Sequence, residues 1–103
     1  MSRPSNVPRL SPKEQLILEL LIRRRGGLYG LELVTASRGR LKRGTVYVTL
    51  ARMEDKGFVT SRQEDAPADA GGLPRRIYSP TALGRRIVDA HVQLAKLMPE
   101  FAR

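Results

Sequence analysis

The chain has 103 residues, with 19 Lys and Arg against 10 Asp and Glu, so its formal net charge at pH 7 is +9. That length implies one domain with a modest core, and that charge favours a polyanionic partner over a small neutral one. There is no Cys, which excludes disulfides and thiolate metal sites, and the longest apolar run, near residues 16–22, is broken by Glu19 and too short to cross a bilayer.

Residues 1–10 contain Pro4 and Pro8 among polar residues and no apolar core, so they read as a loose arm and not as a secretory signal. A helix start follows. Ser11 is placed as N-cap, Pro12 at the first helical position, and Glu14 three residues on completes a capping box. Leu16, Ile17, Leu20 and Leu21 are spaced to face a core, whereas Leu18 and Ile22 fall on the other flank and are assigned to a partner subunit. Arg23, Arg24 and Arg25 read as a solvated, dipole-compensating helix end before the turn at Gly26 and Gly27.

A second short helix is predicted over residues 28–37, burying Leu28, Leu31 and Val34 and closing at Gly39. Only a turn separates it from a third helix over residues 45–56, so the pair forms a helix-turn-helix. The third helix divides into faces. Val46, Leu50 and Met53 make a core stripe, while Thr45, Thr49, Arg52 and Lys56 make a polar stripe that can read base edges. Val48 lies beside that stripe, in reach of a thymine methyl, and Tyr47 on the other flank either reaches a phosphate or packs with its hydroxyl in water. Lys42 and Arg43 precede this helix, where cations oppose the macrodipole unless a phosphate docks there.

Gly57 ends the third helix, residues 58–64 read as a strand, residues 65–74 as a hairpin tip, and residues 75–79 as the return strand with Ile77 inward. Arg75 and Arg76 supply the wing's basic contact; Glu64, Asp65 and Asp69 argue against the whole wing being a phosphate clamp. The last helix is predicted over residues 81–98 with Thr81 as N-cap. Leu83, Ile87, Ala90, Leu94, Leu97 and Phe101 follow a heptad spacing that suits a dimer seam, with packing back on the first helix as the other option. Val88, Ala95 and Met98 add a parallel apolar stripe.

The expected fold is mainly α with a small β-hairpin: a winged helix-turn-helix domain over residues 11–80, followed by a dimerisation helix and tail over residues 81–103. Four ordered motifs resemble the PadR family of transcriptional regulators. They are Leu28-Tyr29-Gly30-Leu31-Glu32-Leu33, Gly44-Thr45-Val46-Tyr47, Leu73-Pro74-Arg75-Arg76-Ile77-Tyr78 and Thr81-Ala82-Leu83-Gly84-Arg85, and the likeness runs over residues 10–91. The chain departs from the family pattern at Tyr29 (usually His), Leu31 (usually Tyr), Lys42 (often a Ser cap) and Val48 (often Pro), which bears on operator sequence.

The resemblance implies a homodimeric repressor of double-stranded DNA, with Thr45 and Tyr47 in the recognition helix and Arg75 or Arg76 in the wing as contacts. The function expected is that of a sequence-specific transcriptional regulator on a palindromic operator, in the cytoplasm at the nucleoid. A winged-helix module for replication, packaging or nucleoid organisation, and an interaction domain that no longer binds DNA, stand beside it. No catalysis, metal or cofactor is expected, since His91 is the only His and no carboxylate cluster has ligand spacing. The resemblance allows a small-molecule effector in a dimer interface, but a chain without Trp and with a short last helix does not indicate one.

Overall fold

The computed structural model describes residues 9–65 and 75–98. The arm before Arg9, most of the predicted hairpin tip and the tail with Phe101 lie outside them. The elements run α1 (Pro12–Arg23), β1 (Leu28–Tyr29), α2 (Gly30–Ala36), α3 (Arg43–Asp55), β2 (Val59–Glu64), β3 (Arg75–Pro80) and α4 (Ala82–Leu97).

Local chemistry sets most boundaries. Helix α1 begins in a complete capping box: the Glu14 amide donates to Ser11 Oγ at 3.1 Å and the Ser11 amide to Glu14 Oε1 at 2.9 Å. The turn between α2 and α3 hangs on Ser37, whose buried hydroxyl donates to the Val34 carbonyl at 2.7 Å and accepts from the Leu41 amide at 2.9 Å. Leu41 can therefore enter the core at the corner. Helix α3 ends in a Schellman motif: the Phe58 amide bonds the Met53 carbonyl, the Gly57 amide bonds the Glu54 carbonyl, and Gly57 takes φ +81°. Helix α4 starts on the back of that turn. Thr81 Oγ1 accepts from the Gly84 amide at 3.0 Å and donates to the Gly57 carbonyl at 2.6 Å, so one side chain caps α4 and holds it to the end of α3.

The second helix is shorter than the sequence suggests, because Leu28 and Tyr29 form a strand. They pair antiparallel with Tyr78 and Ile77 of β3, giving a three-stranded sheet of order β1-β3-β2 in which the wing hairpin pairs Val59 with Pro80 through to Glu64 with Arg75. Starting α2 at Gly30 turns Leu33 into the core and leaves Leu31 47% exposed, which corrects the prediction that Leu31 is buried. Gly27 makes the approach possible: it has φ +88°, and a Cβ there would meet Ile77, the Tyr78 carbonyl and Ser79.

The core joins Ile17, Leu18 and Leu21 of α1 to Leu33, Leu41, Val46, Leu50, Met53, Phe58 and Val59, and Ile87 and Val88 of α4 belong to it. Two residues assigned to a dimer seam are therefore corrected. Leu18 is fully buried and Ile87 nearly so, both within one protomer. The first two turns of α4 lie on α1, whose apolar surface wraps the helix because α1 also meets α2, α3 and β3.

Candidate nucleic-acid interface

Helix α3 buries Val46, Leu50 and Met53 completely, as its periodicity predicts. Its outward face is rotated from the predicted polar stripe. Thr45 and Thr49 are only half exposed, and Thr49 Oγ1 donates to the Thr45 carbonyl at 2.9 Å, which commits that proton to the helix itself. Lys56 turns away to α1, where its Nζ meets Glu14 Oε2 at 2.9 Å. The residues exposed to solvent are Lys42, Arg43 and Gly44 at the N-terminus, then Tyr47, Val48, Ala51, Arg52, Glu54 and Asp55, with Lys56 exposed just beyond the helix.

The N-terminus of α3 suits an anion. Lys42 is the N-cap but makes no side-chain capping bond, and the first turn holds no acid. The free amides, the helix dipole and two exposed cations therefore act in one direction. Tyr47 does pack: its ring covers Gly30, where a Cβ would come within 2.5 Å of Cε1, and 45% of the residue stays exposed. That contact explains why Gly begins α2.

At the wing root both Arg side chains are held. The Arg75 guanidinium lies 4.9 Å from the centroid of the Tyr29 ring, and the Tyr29 hydroxyl donates to Glu64 Oε1 at 2.6 Å. The bond to Glu64 keeps that hydroxyl protonated and raises its pKa above the usual tyrosine value. Arg76 donates through Nη1 to Ser61 Oγ at 3.0 Å, and Ser61 donates on to Glu54 Oε2 of α3 at 2.7 Å. This chain of bonds fixes the wing to the C-terminal part of α3. The sequence points to both Arg residues but to neither partner, because Tyr29 reads as helix and Glu54 as a solvated charge.

The Glu14–Lys56 pair is structural. Glu14 is buried and its pKa is nonetheless lowered: desolvation is the largest influence and raises it, but the bonds from Lys56 and the Ser11 amide together outweigh that. A carboxyl with a lowered folded-state pKa adds stability above its unfolded value, about 4.3, and loses it as pH falls through the folded value. Lys56→Ala is expected to cost about 1 kcal/mol near neutrality, the half-exposed ammonium keeping the figure modest. Denaturant melts should show that deficit at pH 7 and a smaller one at pH 3; equal deficits at both would mean the ion pair contributes nothing.

Among the described residues no His, Cys, Asp and Glu group is arranged to hold a metal, and no helix is long and apolar enough to cross a membrane. A helix-turn-helix followed by a two-stranded wing, with cations at the start of the third helix and at the wing root, defines a winged-helix nucleic-acid-binding protein. The model of the transcriptional regulator PadR-like family matches residues 17–90. The chain belongs to that family and is a DNA-binding transcription regulator.

Solved structures agree. A PadR family transcription regulator from hypervirulent Clostridium difficile is 28% identical with a TM-score of 0.68, the match covering 84% of this chain and 88% of that one. A PadR family regulator from Eggerthella lenta is 24% identical with a TM-score of 0.65, covering 87% and 80%. Bacillus subtilis PadR, solved in complex with operator DNA, is 24% identical with a TM-score of 0.66 over 76% of this chain and 46% of that one. The last two likenesses bear on fold alone. No curated protein matches the chain.

Proposed function

We propose that the chain acts as a homodimeric repressor that reads a palindromic operator, each protomer laying α3 in a major groove and its wing on the adjacent backbone, at the nucleoid in the cytoplasm. The observation that carries this is the placement of cations at both ends of one exposed helix. Lys42 and Arg43 stand at its N-terminus, Arg52 projects from its outward face, and Arg76 is joined to its C-terminal part through Ser61 and Glu54. Phosphate contacts at the two ends set the helix in register, and side chains between them meet base edges. Thr45, Tyr47 and Thr49 flank that surface, and Arg75 stands beside Arg76 on β3.

Footprinting on genomic fragments tests the reading. A discrete palindrome overlapping a promoter supports it; protection indifferent to sequence would overturn it in favour of a DNA-organising role.

The dimer reading rests on the far end of α4. With Ile87 and Leu18 spent in the core, the remaining apolar surface at this end consists of the exposed Leu97 and Met98, with Ala90 and Leu94 half-buried beside them, while Leu83 lies apart over Gly57 and Ile22 is half-covered. Leu97 is 77% exposed, so a substitution there leaves the protomer's own packing intact. Leu97→Glu places an unpaired charge twice in a two-fold interface and is expected to give monomers at tens of micromolar, as light scattering would read. A variant with unchanged mass would move the interface elsewhere.

A further inference from the structure

Short of its last residue, Asp55, the position on α3 that points most directly away from the protein is occupied by valine. At the 100° step of an α-helix, Val48 lies about 190° round from the centre of the Val46, Leu50 and Met53 stripe, and it is 53% exposed. This apolar, β-branched side chain therefore stands at the apex of a helix face otherwise marked by Lys42, Arg43, Arg52 and, two turns on, Asp55. Its flank is apolar as well. Ala51, one turn on, is exposed, and Thr49 has committed its hydroxyl proton to the Thr45 carbonyl, so its methyl is what remains for a hydrophobic contact.

We infer that Val48, backed by the methyl of Thr49, reads thymine 5-methyl groups, so that each operator half-site carries a T·A pair opposite the N-terminal half of α3. The inference rests on α3 being the helix that enters the major groove. In that groove the four base pairs differ in hydrogen-bonding pattern, and thymine alone adds a methyl. A branched aliphatic group can recognise that methyl and nothing else on a base edge. Opposite cytosine it would cover an amino donor without bonding it, so it selects against G·C as well as for T·A. The cations on either side supply phosphate attraction without sequence information, which leaves discrimination at the centre to Val48 on one side and Arg52 on the other.

The test separates this contact from DNA binding as such. Wild-type protein selects its operator from random duplexes, and each thymine in one half-site is then replaced by deoxyuridine, which removes the methyl and keeps the base pair. Fluorescence anisotropy should find one or two positions at which the replacement weakens binding by about fourfold, the value of one buried methyl. In Val48→Ala, whose exposed site leaves folding untouched, that sensitivity should vanish. Thr49→Ser keeps the hydroxyl and its bond to the helix while deleting a methyl, and should dull the same or the neighbouring position. Specific binding with no deoxyuridine-sensitive position, or full sensitivity retained in Val48→Ala, overturns the inference while α3 remains a DNA-reading helix. Failure to select any duplex overturns both.

Discussion

Gly84→Ala is expected to lower the melting temperature by roughly 10–20 °C, although alanine is the better helix former by about 1 kcal/mol. The reason is contact and not conformation. A Cβ at position 84 would fall on the Phe58 carbonyl oxygen and come within 3.0 Å of Leu18 Cδ2. Neither obstacle can give way. The Phe58 carbonyl is backbone, held by the Thr81 amide at 3.0 Å, and Thr81 is the residue that caps α4 and ties it to Gly57. Leu18 is fully buried in the main core. Relief would require α4 to lift from α1 and uncover Ile87 and Val88, so overpacking at the upper end of its usual 1–3 kcal/mol, or beyond it, is the expected cost.

Gly44→Ala is the matched control. Gly44 also lies in a helix, but a Cβ there meets nothing within 4 Å, so the same substitution should be neutral or stabilise by about 0.5–1 kcal/mol. Calorimetry on the two variants decides the matter. A Gly84→Ala protein that melts with the wild type would mean α4 is not seated against the α3–β2 turn as described.

These two glycines show what kind of information the sequence carries openly. Gly84 sits in a stretch that resembles a family pattern, yet nothing local says which backbone it must admit. Features closed within a few residues are legible: the Ser11 and Glu14 box, the Thr81 cap, the Gly57 stop, and the Val46, Leu50 and Met53 stripe. Apolar residues that wrap a helix are not. Periodicity directs Leu18 toward a partner because one core needs only one stripe, but α1 packs on both α3 and α4, and the second of these is about 60 residues away in sequence.

The recognition surface divides in the same way. That α3 is the candidate to carry it follows from charge and order, but its outward edge does not. Lys56 has the spacing of a groove-facing residue and is drawn off by Glu14, 42 residues earlier. Tyr29 and Glu54 look like helix surface, whereas they hold Arg75 and, through Ser61, Arg76 from across the sheet. Two residues of β1 are too few to show alternation, so the third strand and everything it positions stay hidden until the chain is folded.

Those wing interactions lead to the other large effect. Arg75→Ala with Arg76→Ala should weaken binding to every duplex, operator or scrambled, and reduce the log-log salt dependence by roughly 0.9 for each phosphate that is no longer neutralised. Arg75 is braced on a ring and Arg76 on a hydroxyl, and among the described residues neither forms a salt bridge with a carboxylate, so both have charge to offer a phosphate. Arg52→Ala should behave differently. Arg52 is exposed on the outward face of α3, and a guanidinium there can bond a guanine edge in bidentate fashion. Its removal should cost about 1–3 kcal/mol at each operator half-site, relax discrimination at one base pair, and leave binding to scrambled DNA less affected. In a symmetric dimer each effect counts twice, so both variants move affinity by well over an order of magnitude while only the wing variant flattens the salt slope. Titrations of both on operator and scrambled duplexes at several salt concentrations make the comparison. If Arg52→Ala weakens all sequences equally, Arg52 is a backbone contact and α3 sits in the groove with a different edge forward.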